Sequence, residues 1–312
     1  MVCVLFAGSS VVAAPTVIVI EGAAGADEFA PQFAQWREGW IKAAKSAEAT
    51  LITIGVVKEQ ADKSDKELIK ESLAALTGNA SDELWIVLLG HGTYDGKTAR
   101  FNLRGPDVSA DELAAWLNPV ERPVAVINCS SASGPFIAKL SGVNRVIVTA
   151  TRSGNELNFS RFGGFLSQAI AQSTADLDKD GQISLLEAYL LASRQTEEWY
   201  KEEGRLATEH ALIDDNSDGL GTPAQWFTGV RAVRKSKDDK PLDGLRAKQW
   251  CLIRSESERK MAVETRTKRD ELELEMESLR KQKESLSEDA YYARLEVLMI
   301  ELAKLSTAAG RE

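Results

Sequence analysis

Apolar runs recur along the first half of the chain, and helix-patterned stretches separate them. The runs are "TVIVIEG", "TLITIG", "ELWIVLLG", "RPVAVIN" and "NRVIVTA". Each is continuously apolar rather than alternating, which suits a strand buried on both faces. Between them, "EFAPQFAQWREGWIKAAKSAE" carries Phe29, Phe33, Trp36, Trp40 and Ala43 at helical spacing. "SDKELIKESLAALTG" opens on Ser64 with Glu67 three places on, a capping box, and closes on Gly78. "SADELAAWL" starts in the same way with Ser109 and Glu112. Buried strands alternating with helices form a parallel sheet covered on both sides. The expected fold class is therefore α/β, a three-layer sandwich with a mostly parallel sheet. Beyond residue 160 the pattern is helical to about residue 200, then irregular, with a last apolar piece "QWFTGVRAV".

The character changes after a polar linker expected over 236–244. Leu272, Leu279 and Leu286 recur every seven residues, and Tyr291, Leu295, Leu298, Leu302 and Leu305 follow at spacings of four and three. Ser287, with Glu288 and Asp289, suits a new helix start. Residues 245–312 are expected to form an α-helical hairpin with an apolar seam; a single long coiled coil is the alternative, and Ser285 and Ser287 favour the hairpin. Charges along this tail nearly balance, which suits self-association or a protein partner. The main domain is then 15–235.

A net charge of −9 argues against nucleic-acid binding, because phosphate contacts need a basic surface. No apolar run is long enough for a membrane span in a mature chain. Residues 2–14 resemble the apolar core of a secretory signal, and Val12-Ala13-Ala14 resembles its cleavage site. The basic leader is missing, so the expectation for 1–14 is a signal clipped at its start, with a secreted or periplasmic protein. The alternative is an extra core strand over 2–12 and a cytoplasmic protein. The cysteines are Cys3, Cys129 and Cys251, at spacings that fit neither a disulfide framework nor a zinc site, so Cys129 is expected as a free thiol.

Cys129 lies just past the run "PVAVIN", and His91 lies just past "ELWIVLLG". Ligands bind beyond the carboxyl ends of strands in an open parallel sheet. If the two strands are neighbours, both side chains emerge on one edge, where a histidine can activate a thiol. Gly90, Gly92, Ser130 and Ala132 leave room for a substrate backbone and let main-chain N–H groups face a developing oxyanion. The plain alternative is a packed cysteine and a turn histidine. "GTYDGKT" at 92–98 is not a phosphate loop, because His91 stands where that motif needs its first glycine, and "ARFNLRGPD" reads as a hairpin rather than a helix.

At these residues the sequence resembles the caspase-like cysteine peptidases, the group of caspases, legumains, metacaspases and gingipains. Their His-Gly after one strand matches His91-Gly92. Their Cys-x-Ser-Gly after the next matches Cys129-Ser130-Ser131, with Ala132 where glycine is usual. The order of strands and helices over about 15–170 agrees with that fold, and "TATRSGNELNFSRFGGFLSQAI" resembles bacterial legumain-like members. The resemblance implies a cysteine endopeptidase acting on a peptide or protein through an acyl-enzyme. Cys129 would be the nucleophile, His91 the general acid/base, and the N–H groups of Gly92 and Cys129 the oxyanion hole. Specificity residues of relatives lie near Arg152 and Glu156. The rival expectation is a catalytically silent caspase-like scaffold that binds calcium or a partner.

A second motif is independent of the first. "DLDKDGQISLLE", residues 176–187, matches the calcium loop of an EF-hand position by position. Asp176, Asp178 and Asp180 offer carboxylates and Gly181 the turn. Gln182 offers its main-chain carbonyl, Ser184 acts through water, and Glu187 binds bidentate. Ca2+ is the expected metal. "DDNSDGLG", from Asp214, keeps Asp214, Asn216, Asp218 and Gly219 at the same spacing, but Gln225 stands in place of the bidentate acid. It is either a degenerate second loop or an acidic turn.

Overall fold

The computed structural model describes residues 14–56, 63–78, 82–234 and 242–309. The leader expected over 1–14 falls outside these residues, Ala14 excepted, and so does most of the expected linker. The chain divides into two units, 14–253 and, from Arg254 onward, the tail.

The larger unit begins with strand β1 (Thr16–Glu21), helix α1 (Ala30–Ser46), β2 (Thr50–Ile54), α2 (Asp65–Ala75) and β3 (Leu84–Leu89). A small antiparallel sheet follows, of β4 (Gly92–Tyr94), β5 (Ala99–Phe101) and β6 (Val108–Ser109). Next come α3 (Ala110–Leu117), β7 (Val124–Asn128), α4 (Phe136–Leu140), β8 (Arg145–Thr149), α5 (Phe162–Ala169) and α6 (Leu185–Glu202). The unit ends with β9 (Leu212–Asp214), β10 (Thr222–Pro223), the pair β11 (Phe227–Thr228) and β12 (Arg231–Ala232), and α7 (Leu245–Gln249).

The main sheet has seven strands in the order β10-β9-β8-β7-β3-β1-β2. The expected apolar strands pair in parallel, and β9 adds antiparallel to β8. Strand residues alternate between two core layers. Val17, Val19, Val87, Ala125 and Ile127 face α1, α5 and α6. Ile18, Ile20, Ile86, Leu88, Val126 and Ile147 face α2, α3 and α4. Both expected capping boxes, Ser64 with Glu67 and Ser109 with Glu112, are formed. The three-layer α/β sandwich with a mostly parallel sheet is therefore present.

Two boundaries differ from expectation. Strands β9 and β10 come from the stretch read as irregular; at three and two residues they are too short to show a period. Residues 242–253, assigned to the linker and tail, belong to the larger unit. Trp250 stacks edge-on against Trp85 at 5.2 Å, and the Asp215 carboxylate takes the N–H groups of Gly244 and Ala247 at 3.0 and 2.8 Å. An indole buried in the core holds this segment more firmly than its polar neighbours loosen it.

The tail unit contains α8 (Glu256–Lys260), α9 (Val263–Lys281) and α10 (Glu288–Ala309). Ser287 caps α10, its hydroxyl accepting the Ala290 N–H at 3.3 Å. Leu272, Leu279 and Tyr291 are buried, and Leu279 faces Ala293, Val297 and Leu298 across a groove between α9 and α10. The expected C-terminal α-helical hairpin is present. No helix among the described residues is long and apolar enough to cross a membrane.

Candidate active site and calcium loop

Strands β3 and β7 are neighbours, with Leu88 opposite Asn128. His91 and Cys129 thus leave the carboxyl edge of adjacent parallel strands. Cys129 shares the face of Ala125 and Ile127 and is wholly buried in the layer of α1, α5 and α6. The His91 ring enters the same layer, edge-on to Phe29 at 4.8 Å, Phe33 at 5.2 Å and Phe159 at 5.8 Å. The N-terminal turn of α5 closes over the thiol. A Cβ on Gly163 would come within 2.7 Å of the Cys129 Cβ and 3.0 Å of the Trp36 ring, so only glycine fits there.

His91 Nε2 lies 3.0 Å from the Ala24 carbonyl oxygen. A carbonyl only accepts, so Nε2 carries the hydrogen and Nδ1 keeps the lone pair. Burial, the larger cause, favours the neutral ring and lowers the His91 pKa, while the Ala24 contact favours the protonated ring. Burial raises the Cys129 pKa well above the ordinary thiol value, and the nearby Glu209 charge adds to the effect. Glu209 is buried, takes the N–H groups of Arg161 and Phe162 at 2.9 and 3.1 Å, and accepts from Ser160 Oγ at 2.6 Å. It caps α5 and so offsets the positive end that α5 would otherwise present to the thiol. A single glutamate in an irregular stretch carries no sequence signal of this role.

The oxyanion hole expected from Gly92 and Cys129 is not free in this structure. The Cys129 N–H donates to the Leu88 carbonyl at 2.9 Å, as the parallel ladder requires. The Gly92 N–H donates to Ser131 Oγ at 3.2 Å. Gly92 is needed for a different reason: a Cβ there would lie 2.2 Å from the Ser131 carbonyl oxygen. Ala132 has φ +53°, the left-handed region that glycine adopts without strain, which explains why glycine suits this position of the motif. Arg152 and Glu156 are spent on each other and on His210, with Arg152 Nε 3.2 Å and His210 Nδ1 2.6 Å from the Glu156 carboxylate. A separate cavity of about 580 Å³ is lined by Phe162, Arg194, Glu209, His210 and Gln225 among others, but by neither His91 nor Cys129.

In the 176–187 loop, carboxylate oxygens of Asp176, Asp178 and Glu187 converge within 4.8 Å of one another. Asp176 Oδ1 is buried without a hydrogen-bond partner. Glu187 turns back across the loop, accepting the Leu177 N–H at 2.8 Å on one oxygen and Ser184 Oγ at 2.8 Å on the other. Asp180 is outside that triad and accepts the Gln182 N–H at 2.8 Å. Lys248 Nζ lies 3.1 Å from Asp178 Oδ2, a basic group against the acidic loop. Converging oxygens, one of them orphaned, fit a hard divalent cation. Gln225, expected at the end of the second loop, is exposed and turned to the cavity instead.

No protein-family model and no curated protein matches the sequence. Solved structures similar in fold include caspase-1 from Spodoptera frugiperda, at 11% identity and TM-score 0.42, covering 65% of this chain and 86% of that one. Another is the Drosophila initiator caspase Dronc, at 13% identity and TM-score 0.41, covering 67% and 81%.

Proposed function

We propose that the chain is a caspase-like cysteine endopeptidase with Cys129 as nucleophile, His91 as general acid/base and calcium bound by the 176–187 loop. The observation that carries this reading is the emergence of His91 and Cys129 from neighbouring parallel strands into one side-chain layer. In the reaction, His91 Nδ1 takes the thiol proton as Sγ attacks the peptide carbonyl carbon. The same proton then goes to the leaving amine, and water hydrolyses the thioester. With the thiol buried and its pKa raised, attack requires the turn at Gly163, which packs on the Cys129 side chain, to move aside. When bound, calcium would be held by Asp176, Asp178 and Glu187 and would neutralise their converging charges at the start of α6.

The full burial of Cys129 favours one other reading, a silent scaffold in which the thiol is core. A peptide library together with a thiol-directed peptidyl probe separates the two. Turnover and Cys129 labelling by the native chain, both lost in Cys129→Ala, support the peptidase. No cleavage of any peptide, with Cys129 reacting only on unfolding, establishes the scaffold.

A further inference from the structure

Residues 214–222 repeat several contacts of the 176–184 part of the calcium loop, though the N–H of the sixth residue goes to Asp176 Oδ2 in one and to Ser141 Oγ in the other. At the first position, Asp176 and Asp214 each bury an Oδ1 that has no hydrogen-bond partner. At the fourth, Lys179 and Ser217 have φ +59° and +70°; at the sixth, Gly181 and Gly219 have φ +82° and +72°. At the fifth, Asp180 accepts the Gln182 N–H and Asp218 accepts the Leu220 N–H, both at 2.8 Å.

The correspondence extends to the acid that closes the loop. Glu187 accepts the N–H groups of the second and third residues, Leu177 and Asp178, at 2.8 and 3.3 Å. Asp243 accepts the N–H groups of the second and third residues of the other loop, Asp215 and Asn216, at 2.9 and 3.2 Å. The ninth residue donates its hydroxyl to the same acid in each case: Ser184 to Glu187 at 2.8 Å, and Thr222 to Asp243 at 2.6 Å. Asp243 therefore stands to this loop as Glu187 stands to the first, although it enters from beyond β12. Asp215 is a positioning residue: its carboxylate holds the start of α7, next to Asp243.

We infer that Asp214, Asn216, Asp218, the main-chain carbonyl of Leu220 and the Asp243 carboxylate form a second, split site for a calcium-like divalent cation. Asp243 supplies from outside the loop the acid that Gln225 does not. All these donors are oxygens, the set a hard cation takes. Asp214, Asp215 and Asp243 are only 1, 2 and 2% exposed, so their charges have little water to screen them. The orphaned Asp214 Oδ1 is the group that a cation would satisfy. The inference takes the 176–187 loop as its template and does not depend on peptidase activity.

The test is a count of bound calcium on the full chain, stripped with chelator, by calorimetry and native mass spectrometry. Two ions per chain are expected. Asp243→Asn should leave one, and Asp176→Ala with Glu187→Gln should also leave one. Asp218→Ala, on a half-buried side chain that folding tolerates better, should weaken one site at least about tenfold and spare the other. A single ion removed by Asp243→Asn supports the split site while overturning the reading of 176–187. No bound ion, a single ion removed by the Asp176/Glu187 pair, or two ions unaffected by both Asp243→Asn and Asp218→Ala overturns the inference.

Discussion

The Ser131 hydroxyl closes both ends of one peptide contact, accepting the Gly92 N–H at 3.2 Å and donating to the Gly92 carbonyl at 3.1 Å. It joins the loop after β3 to the loop after β7, and so fixes His91 relative to Cys129. Ser131→Ala leaves a buried N–H and C=O unpaired. A loss of about 1–3 kcal/mol in urea unfolding is expected. A loss below the error of the measurement would mean that the two loops are held by other contacts.

Cys129 and His91 are expected to act as one unit. Cys129→Ala and His91→Ala should each abolish turnover without unfolding the chain, and the double variant should lose no more than either alone. Additive losses in kcat/KM would contradict a shared step.

The site should respond to pH in a defined direction. Because the Cys129 pKa is raised, alkylation of the native thiol should still be climbing, about tenfold per unit, above the range where a free thiol levels off. Because the His91 pKa is lowered, the unfolded chain binds more protons at this residue near and below pH 6.5. Its contribution to stability is present above about 6.5 and is lost as pH falls through the folded value. The acid limb of kcat/KM should accordingly lie below the ordinary histidine range. An acid limb at or above 6.5 would remove His91 as the buried base.

Ala132→Gly tests the left-handed backbone beside the thiol. Relief of about 1–2 kcal/mol of local strain opposes about 0.5–1 kcal/mol of added chain entropy, so the variant should equal or exceed wild-type stability by up to about 1.5 kcal/mol. A clear loss would show that the alanine methyl packs against something that glycine gives up.

Calcium at a hundred times its Kd for the 176–187 loop should add about 2.7 kcal/mol to unfolding and raise Tm. Chelator, or Asp176→Ala with Glu187→Gln, should reverse the gain. The same Tm with and without calcium would dismiss the loop as a binding site.

In the tail, Leu279→Asp should place a charge in the seam facing Ala293, Val297 and Leu298. Amide exchange should quicken over 263–305, while 14–253 keeps its protection. Unchanged exchange would show that the seam contributes nothing to the hairpin.

Local chemistry determined what the sequence could say by itself. Apolar strands such as 84–89 and 124–128 are legible because burial on both faces demands continuous Val, Ile and Leu. Ser64 and Ser109 cap their helices through a partner three residues away, so the signal lies within one turn. Asp176, Asp178 and Glu187, whose carboxylates converge, likewise lie within one twelve-residue stretch. Only the tertiary structure decided the rest, because the groups concerned meet across long stretches of chain. Ser131 takes up the Gly92 N–H, Glu209 caps α5 beside Cys129, and Trp250 draws 242–253 into the core. Asp243 closes a loop that begins at Asp214. No spacing rule reaches these pairs; they depend on which backbone groups folding leaves without water, and on which distant side chain is placed to satisfy them.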